Sequence, residues 1–103
     1  MRLSKNEHLT EEFVKVNPAR QVPALCESDG FNLSESHSIM RYLVETSQDE
    51  RIQELYPKDA RARAKVDEYL DWNHTNLRWG TNRLVFINYF TKIRGTNLTP
   101  EEH

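Results

Sequence analysis

Apolar and polar positions alternate along the chain in distinct rhythms, separated by proline, glycine or polar runs. Val22, Ala24, Leu25 and Cys26 read as a strand over residues 22–26, although Pro23 interrupts it. Proline lacks the N–H that a central strand needs, so it belongs on an edge strand, at a strand start or at a bulge. Asp29-Gly30 is a hairpin turn signal, and Phe31-Asn32-Leu33 supplies a short returning strand with alternating faces. Ile39, Met40, Leu43 and Val44 then cluster at helical spacings, which predicts a helix over 34–45. Upstream, Thr10-Glu11-Glu12 reads as a helix start, a hydroxyl cap followed by acids at the positive end of the dipole. That helix is short because Asn17-Pro18 stops it.

A different rhythm begins near Asp59. The polar stretch TSQDERIQELYPK, residues 46–58, separates the two parts and reads as a linker. From 59 to about 88 there is no proline, and Val66, Tyr69, Leu70, Asn73 and Leu77 mark one helical face. The opening DARARAKVDEYL has high helix propensity. Thirty helical residues span roughly 45 Å, with Gly80 as a place to kink or end. Thr99-Pro100-Glu101-Glu102 looks like a fresh helix start. The domain reading is therefore 1–45, a linker at 46–58, and 59–103. The first part is an αββα piece. Two strands alone are marginal, so this piece reads as the second half of a larger sheet, its polar first residues being the end of a further strand.

Composition narrows the function. The chain has 103 residues, 37% hydrophobic and 29% charged, enough for a modest core. No run approaches the roughly 18 apolar residues of a membrane span, and MRLSKNEHL has no apolar signal region. A formal net charge of −2 argues against a dedicated nucleic-acid binder. The single cysteine, Cys26, permits no intramolecular disulfide and no thiol cluster for zinc, and it reads as a small hydrophobe. These facts fit a cytoplasmic soluble protein with no metal. Arg61, Arg63 and Lys65 read as a solvated helix face.

Three strings in order, KNEHLTEEFVKVNPARQVPAL, FNLSESHSIMRYL and ELYPKDARARAKVDEYLDWNHTNLR, resemble the theta class of cytosolic glutathione transferases. The resemblance runs from about Lys5 to Arg78 and weakens beyond. It implies an α/β fold in which an incomplete thioredoxin-like piece is followed by the first long helix of an all-helical domain. It also implies a detoxifying transferase that conjugates glutathione thiolate to small electrophiles, with glutathione as co-substrate, no other cofactor, and a homodimeric assembly.

The resemblance also distributes roles. Val22-Pro23 matches the family's cis-proline turn, in which the Val22 backbone pairs with glutathione's cysteinyl unit as an added strand would. Glu35 and Ser36 match the γ-glutamyl site: a helix N-terminus suits a carboxylate, while Glu35 suits the ammonium. On the residues alone, Ser34 or Ser36 simply caps that helix. His8 falls where a side chain reaches the glycyl carboxylate. Gln21 departs from the lysine common before Val-Pro, and a neutral donor there implies weaker, less salt-sensitive binding. Arg78 is implied as a stabiliser of the thiolate or the substrate. The serine that in theta-like members donates to the sulfur has no counterpart here, since Ser4 lies too close to His8. A catalytic residue is thus not identified, and a non-catalytic glutathione-binding or dimerisation module is the alternative.

Overall fold

The architecture follows from a few local hydrogen-bond decisions, seen in a computed structural model that describes residues 2–90. The chain divides into two units, 1–63 and 64–103. In the first, Thr10 caps helix α1 (Glu11–Val16): its Oγ1 accepts from the Phe13 N–H at 3.3 Å, and Glu11 and Glu12 occupy the first turn. The helix ends at Asn17, which turns extended before Pro18. Replacing Thr10 by Ala should destabilise the chain by about 1 kcal/mol, read from its chemical-denaturation midpoint.

The residues before α1 do not form the end of a strand. They make two 3-10 turns, Leu3–Lys5 and Glu7–Leu9, joined by Asn6 in the left-handed region (φ 58°). The reason is local. Asparagine tolerates that conformation, and the Arg2 N–H donates to the Glu7 carboxylate at 2.6 Å, closing the segment on itself.

Strands β1 (Ala24–Cys26) and β2 (Asn32–Ser34) pair antiparallel with Ala24 opposite Ser34 and Leu25 opposite Leu33. Asp29-Gly30 makes the turn: Gly30 sits at φ 91°, and the Asp29 carboxylate accepts from the Phe31 N–H at 3.0 Å. Only glycine adopts such a φ at no steric cost. The strand begins at 24 and not at 22, because Val22-Pro23 forms a turn ahead of it. Ser34 belongs to β2, so helix α2 runs from Ser36 to Thr46. Tyr42 on α2 holds the hairpin: its hydroxyl donates to Glu27 Oε1 at 2.9 Å, and its ring lies 5.3 Å from Phe31. That carboxylate raises the Tyr42 pKa, since it stabilises the protonated phenol.

The stretch read as a linker contains one helical turn, α3 (Glu50–Gln53). Asp49 caps it, accepting from the Arg51 N–H at 2.9 Å and from the Arg51 guanidinium at 2.8 Å. The guanidinium holds the Asp49 carboxyl below its ordinary pKa. Helix α4 (Ala60–Trp72) begins in this unit. Its Arg63 is not part of a solvated charge run, as the sequence suggested. The guanidinium carbon lies 4.1 Å from the Tyr56 ring centroid, Nε donates to the Pro57 carbonyl at 2.8 Å, and Nη1 pairs with Glu45 at 3.1 Å. Two residues of helix are a 200° rotation, so Arg63 turns inward while Arg61 and Lys65 stay exposed.

In the second unit the chain remains helical to Phe90, through α5 (Arg78–Val85). Gly80 does not end it. The irregularity falls on two wide π-type turns, Asn73–Leu77 and Phe86–Phe90. Thr75 and Asn76 bond back to the Asp71 and Trp72 carbonyls at the first wide turn, and Asn88 to Leu84 at the second. Such side-chain bonds compete with the regular ladder. The helix start read at Thr99-Pro100-Glu101-Glu102 lies outside the described residues. Among the described residues no helix is long and apolar enough to cross a membrane. No apolar side chain is fully buried there either, and Leu55 is 67% exposed.

Candidate glutathione site

The hairpin register decides which candidate residues meet. Because Ala24 stands opposite Ser34, the residues just before the one and just after the other lie at the same end of the ribbon. Pro23 and Val22 are on one side of that end, Glu35 and Ser36 on the other. The Val22–Pro23 bond is cis. Val22 is 41% exposed, and among the described residues its N–H and C=O take no hydrogen bond. An extended ligand segment pairs with such a backbone as a strand would.

Glu35 is the residue that opens α2. It has φ 72° and ψ 113°, and its side chain makes no capping bond. Its carbonyl nevertheless accepts from the Ile39 N–H at 2.9 Å, so the helical ladder starts there. A non-glycine residue in such a region costs about 1–3 kcal/mol and is held only where its surroundings fix it. Here β2 and α2 meet with no spacer, so Glu35 alone makes the change of direction. Neither Ser34 nor Ser36 is the cap residue of α2, which corrects the plain capping reading. Beyond Glu35 itself, the first turn of α2 contains no acid, so no side chain within the helix offsets its positive end at this corner.

Gln21 is exposed, and its backbone carbonyl accepts from Asn17 Nδ2 at 2.8 Å. His8 lies in the turn Glu7–Leu9 ahead of α1, half-buried, with Nδ1 unbonded. The hairpin register does not bring His8 to the corner. Arg78 opens α5 in the second unit and is half-buried there. The register gathers Val22, Pro23, Glu35 and Ser36, and the loop bond adds Gln21.

The stretch that carries this corner is similar to proteins of known identity. A family profile described as glutathione S-transferase, N-terminal domain, matches residues 2–46. Mouse glutathione S-transferase theta-1 is 41% identical over 100 residues, covering 96% of this chain and 40% of the mouse protein. The chain resembles theta-class glutathione S-transferases over most of its length. Human theta-1 is 49% identical over 76 residues, 74% of this chain and 30% of the human protein. The apo structure of human glutathione-S-transferase T1-1 superposes with a TM-score of 0.74 at 36% identity, covering 98% of this chain and 41% of that one. A delta-class glutathione transferase from Nilaparvata lugens gives 0.71 at 35% identity, covering 99% and 45%. The chain therefore spans about two fifths of the length of its theta-class relatives, and its fold is the thioredoxin-like N-terminal region of such a transferase followed by a helical segment.

Sequence reasoning overlooked one residue of this corner. Asn17 registered only as a helix stop, yet it is the one buried side chain among the described residues, 4% exposed, and it bonds to the loop that carries Gln21 and Val22. Asparagine beside proline at a helix end is the signal that marked it, since such a residue often bonds to the backbone two residues on.

Proposed function

We propose that the corner binds glutathione and that the whole protein conjugates the glutathione thiolate to small electrophiles. The observation that supports this most directly is the convergence set by the hairpin register. A strand-like backbone at Val22 and the positive end of α2 sit at one end of the ribbon. Glutathione carries matching groups: a peptide-like cysteinyl unit between two carboxylates, with an ammonium on the γ-glutamyl side. In this reading the Val22 N–H and C=O pair with the cysteinyl unit. Ser36 and the α2 N-terminus take the γ-glutamyl carboxylate, and Glu35 takes the ammonium. Gln21 and His8 donate to the glycyl carboxylate. The thiolate attacks the electrophilic carbon, a carbon–sulfur bond forms, and the leaving group departs with its electron pair.

No residue among these 103 is assigned to donate a hydrogen bond to the thiol. The chain alone is therefore expected to bind glutathione in a saturable titration without accelerating its conjugation to a chloronitrobenzene. Absence of any binding would overturn the site assignment. Turnover well above the uncatalysed rate would show instead that a thiol-activating residue lies within these residues. The remaining features of the reading are those of a detoxifying, cytoplasmic homodimer, and they rest on the family alone.

A further inference from the structure

We propose that Asn17 is a positioning residue for the glycyl end of glutathione, an inference that rests on the binding reading above. Burying a polar side chain is costly unless its hydrogen bonds are made, and Asn17 is 4% exposed. Both ends of its amide are used, and both act on one loop. Oδ1 accepts from the Ala19 N–H at 3.1 Å, and Nδ2 donates to the Gln21 carbonyl at 2.8 Å. Its backbone is tied as well: its N–H donates to the Phe13 carbonyl at 2.8 Å, and its own carbonyl accepts from the Arg20 N–H at 2.9 Å. The first of these bonds anchors it to the end of α1.

These bonds account for the shape of residues 17–21. Arg20 is held at φ 57°, a left-handed conformation uncommon for a non-glycine residue. Reversing the chain there swings Gln21 out into solvent and delivers Val22 at the head of β1. The Gln21 carbonyl is the acceptor, so the amide of Asn17 grips the very residue whose side chain is assigned to the glycyl carboxylate. Glu35 and Ser36 are reached from the other strand, through β2 and α2, and take no bond from Asn17. Loosening Asn17 therefore misplaces one end of the ligand site and spares the other.

The test compares two ligands that differ only in the glycine: glutathione and γ-glutamylcysteine. Their affinities are measured by titration calorimetry for the unsubstituted chain and for Asn17→Asp. Aspartate keeps an acceptor for Ala19 but replaces the donor to Gln21 with a second oxygen. The unsubstituted chain should prefer glutathione, and Asn17→Asp should lose most of that preference, bringing the ratio of the two affinities to within about threefold of one. A variant that is merely less stable would weaken both ligands alike and keep the ratio. A retained ratio overturns the inference and leaves the binding reading standing. An unsubstituted chain with no preference overturns the glycyl assignment itself. Asn17→Ser, whose shorter hydroxyl does not span to Gln21, serves as a second variant should the aspartate form fail to fold. The unsubstituted chain also reports directly: its Asn17 side-chain amide resonances should shift with glutathione more than with γ-glutamylcysteine, and equal shifts overturn the inference.

Discussion

Glu35→Ala is expected to weaken glutathione binding roughly 10- to 100-fold, while Arg61→Ala leaves it unchanged. The magnitude follows from losing a charge-assisted hydrogen bond, about 1.5–3 kcal/mol. Three observations isolate the effect. Glu35 makes no capping bond, so its carboxylate is not spent on closing the helix. Alanine keeps the β-carbon and so carries the same backbone cost at φ 72°, which leaves the corner geometry in place. Arg61 is exposed on α4 and controls for a general change of charge. Titration calorimetry of both variants decides the matter: equal isotherms would count against the γ-glutamyl assignment.

Ser36→Asp separates binding from capping by the sign of two effects. An acid at the first position of a helix interacts favourably with its positive end, about 0.3–1 kcal/mol, so the denaturation midpoint should hold or rise. The same carboxylate would occupy the place assigned to the γ-glutamyl carboxylate and repel it, so glutathione affinity should fall by at least tenfold. A midpoint and an affinity that move in the same direction would leave Ser36 as a structural residue of α2 only.

Much of this was legible because it is local. Thr10, Asp29-Gly30 and the apolar cluster at 39–44 each specify their element through contacts within a few residues, and each element formed, the strand and α2 starting two residues later than the pattern placed them. The family words around Val22-Pro23 and Glu35-Ser36 likewise lie within one hairpin. What the pattern missed depended on direction and not on residue type. Ser34 and Ser36 both look like caps, and only the length of β2 decides that Glu35 makes the turn. Arg63 reads like Arg61 and Lys65, and only its rotation toward Tyr56 distinguishes it. Asn17 signalled the end of a helix, while its burial depended on the path of the loop beyond. The N-terminal turns were misread because a further strand was inferred from the marginal stability of two strands alone, whereas Asn6 and Glu7 close the segment by themselves.

The pairing of Ala24 with Ser34 also bears on when the corner is made. Contacts between residues close in sequence pay little loop-closure entropy and form early. Gln21 and Ser36 are only a hairpin apart in sequence, so the turn at Asp29-Gly30 brings its two ends together without contacts from the helices beyond Ala60. The corner assigned to the tripeptide is thus a local structure, specified by contacts within one hairpin.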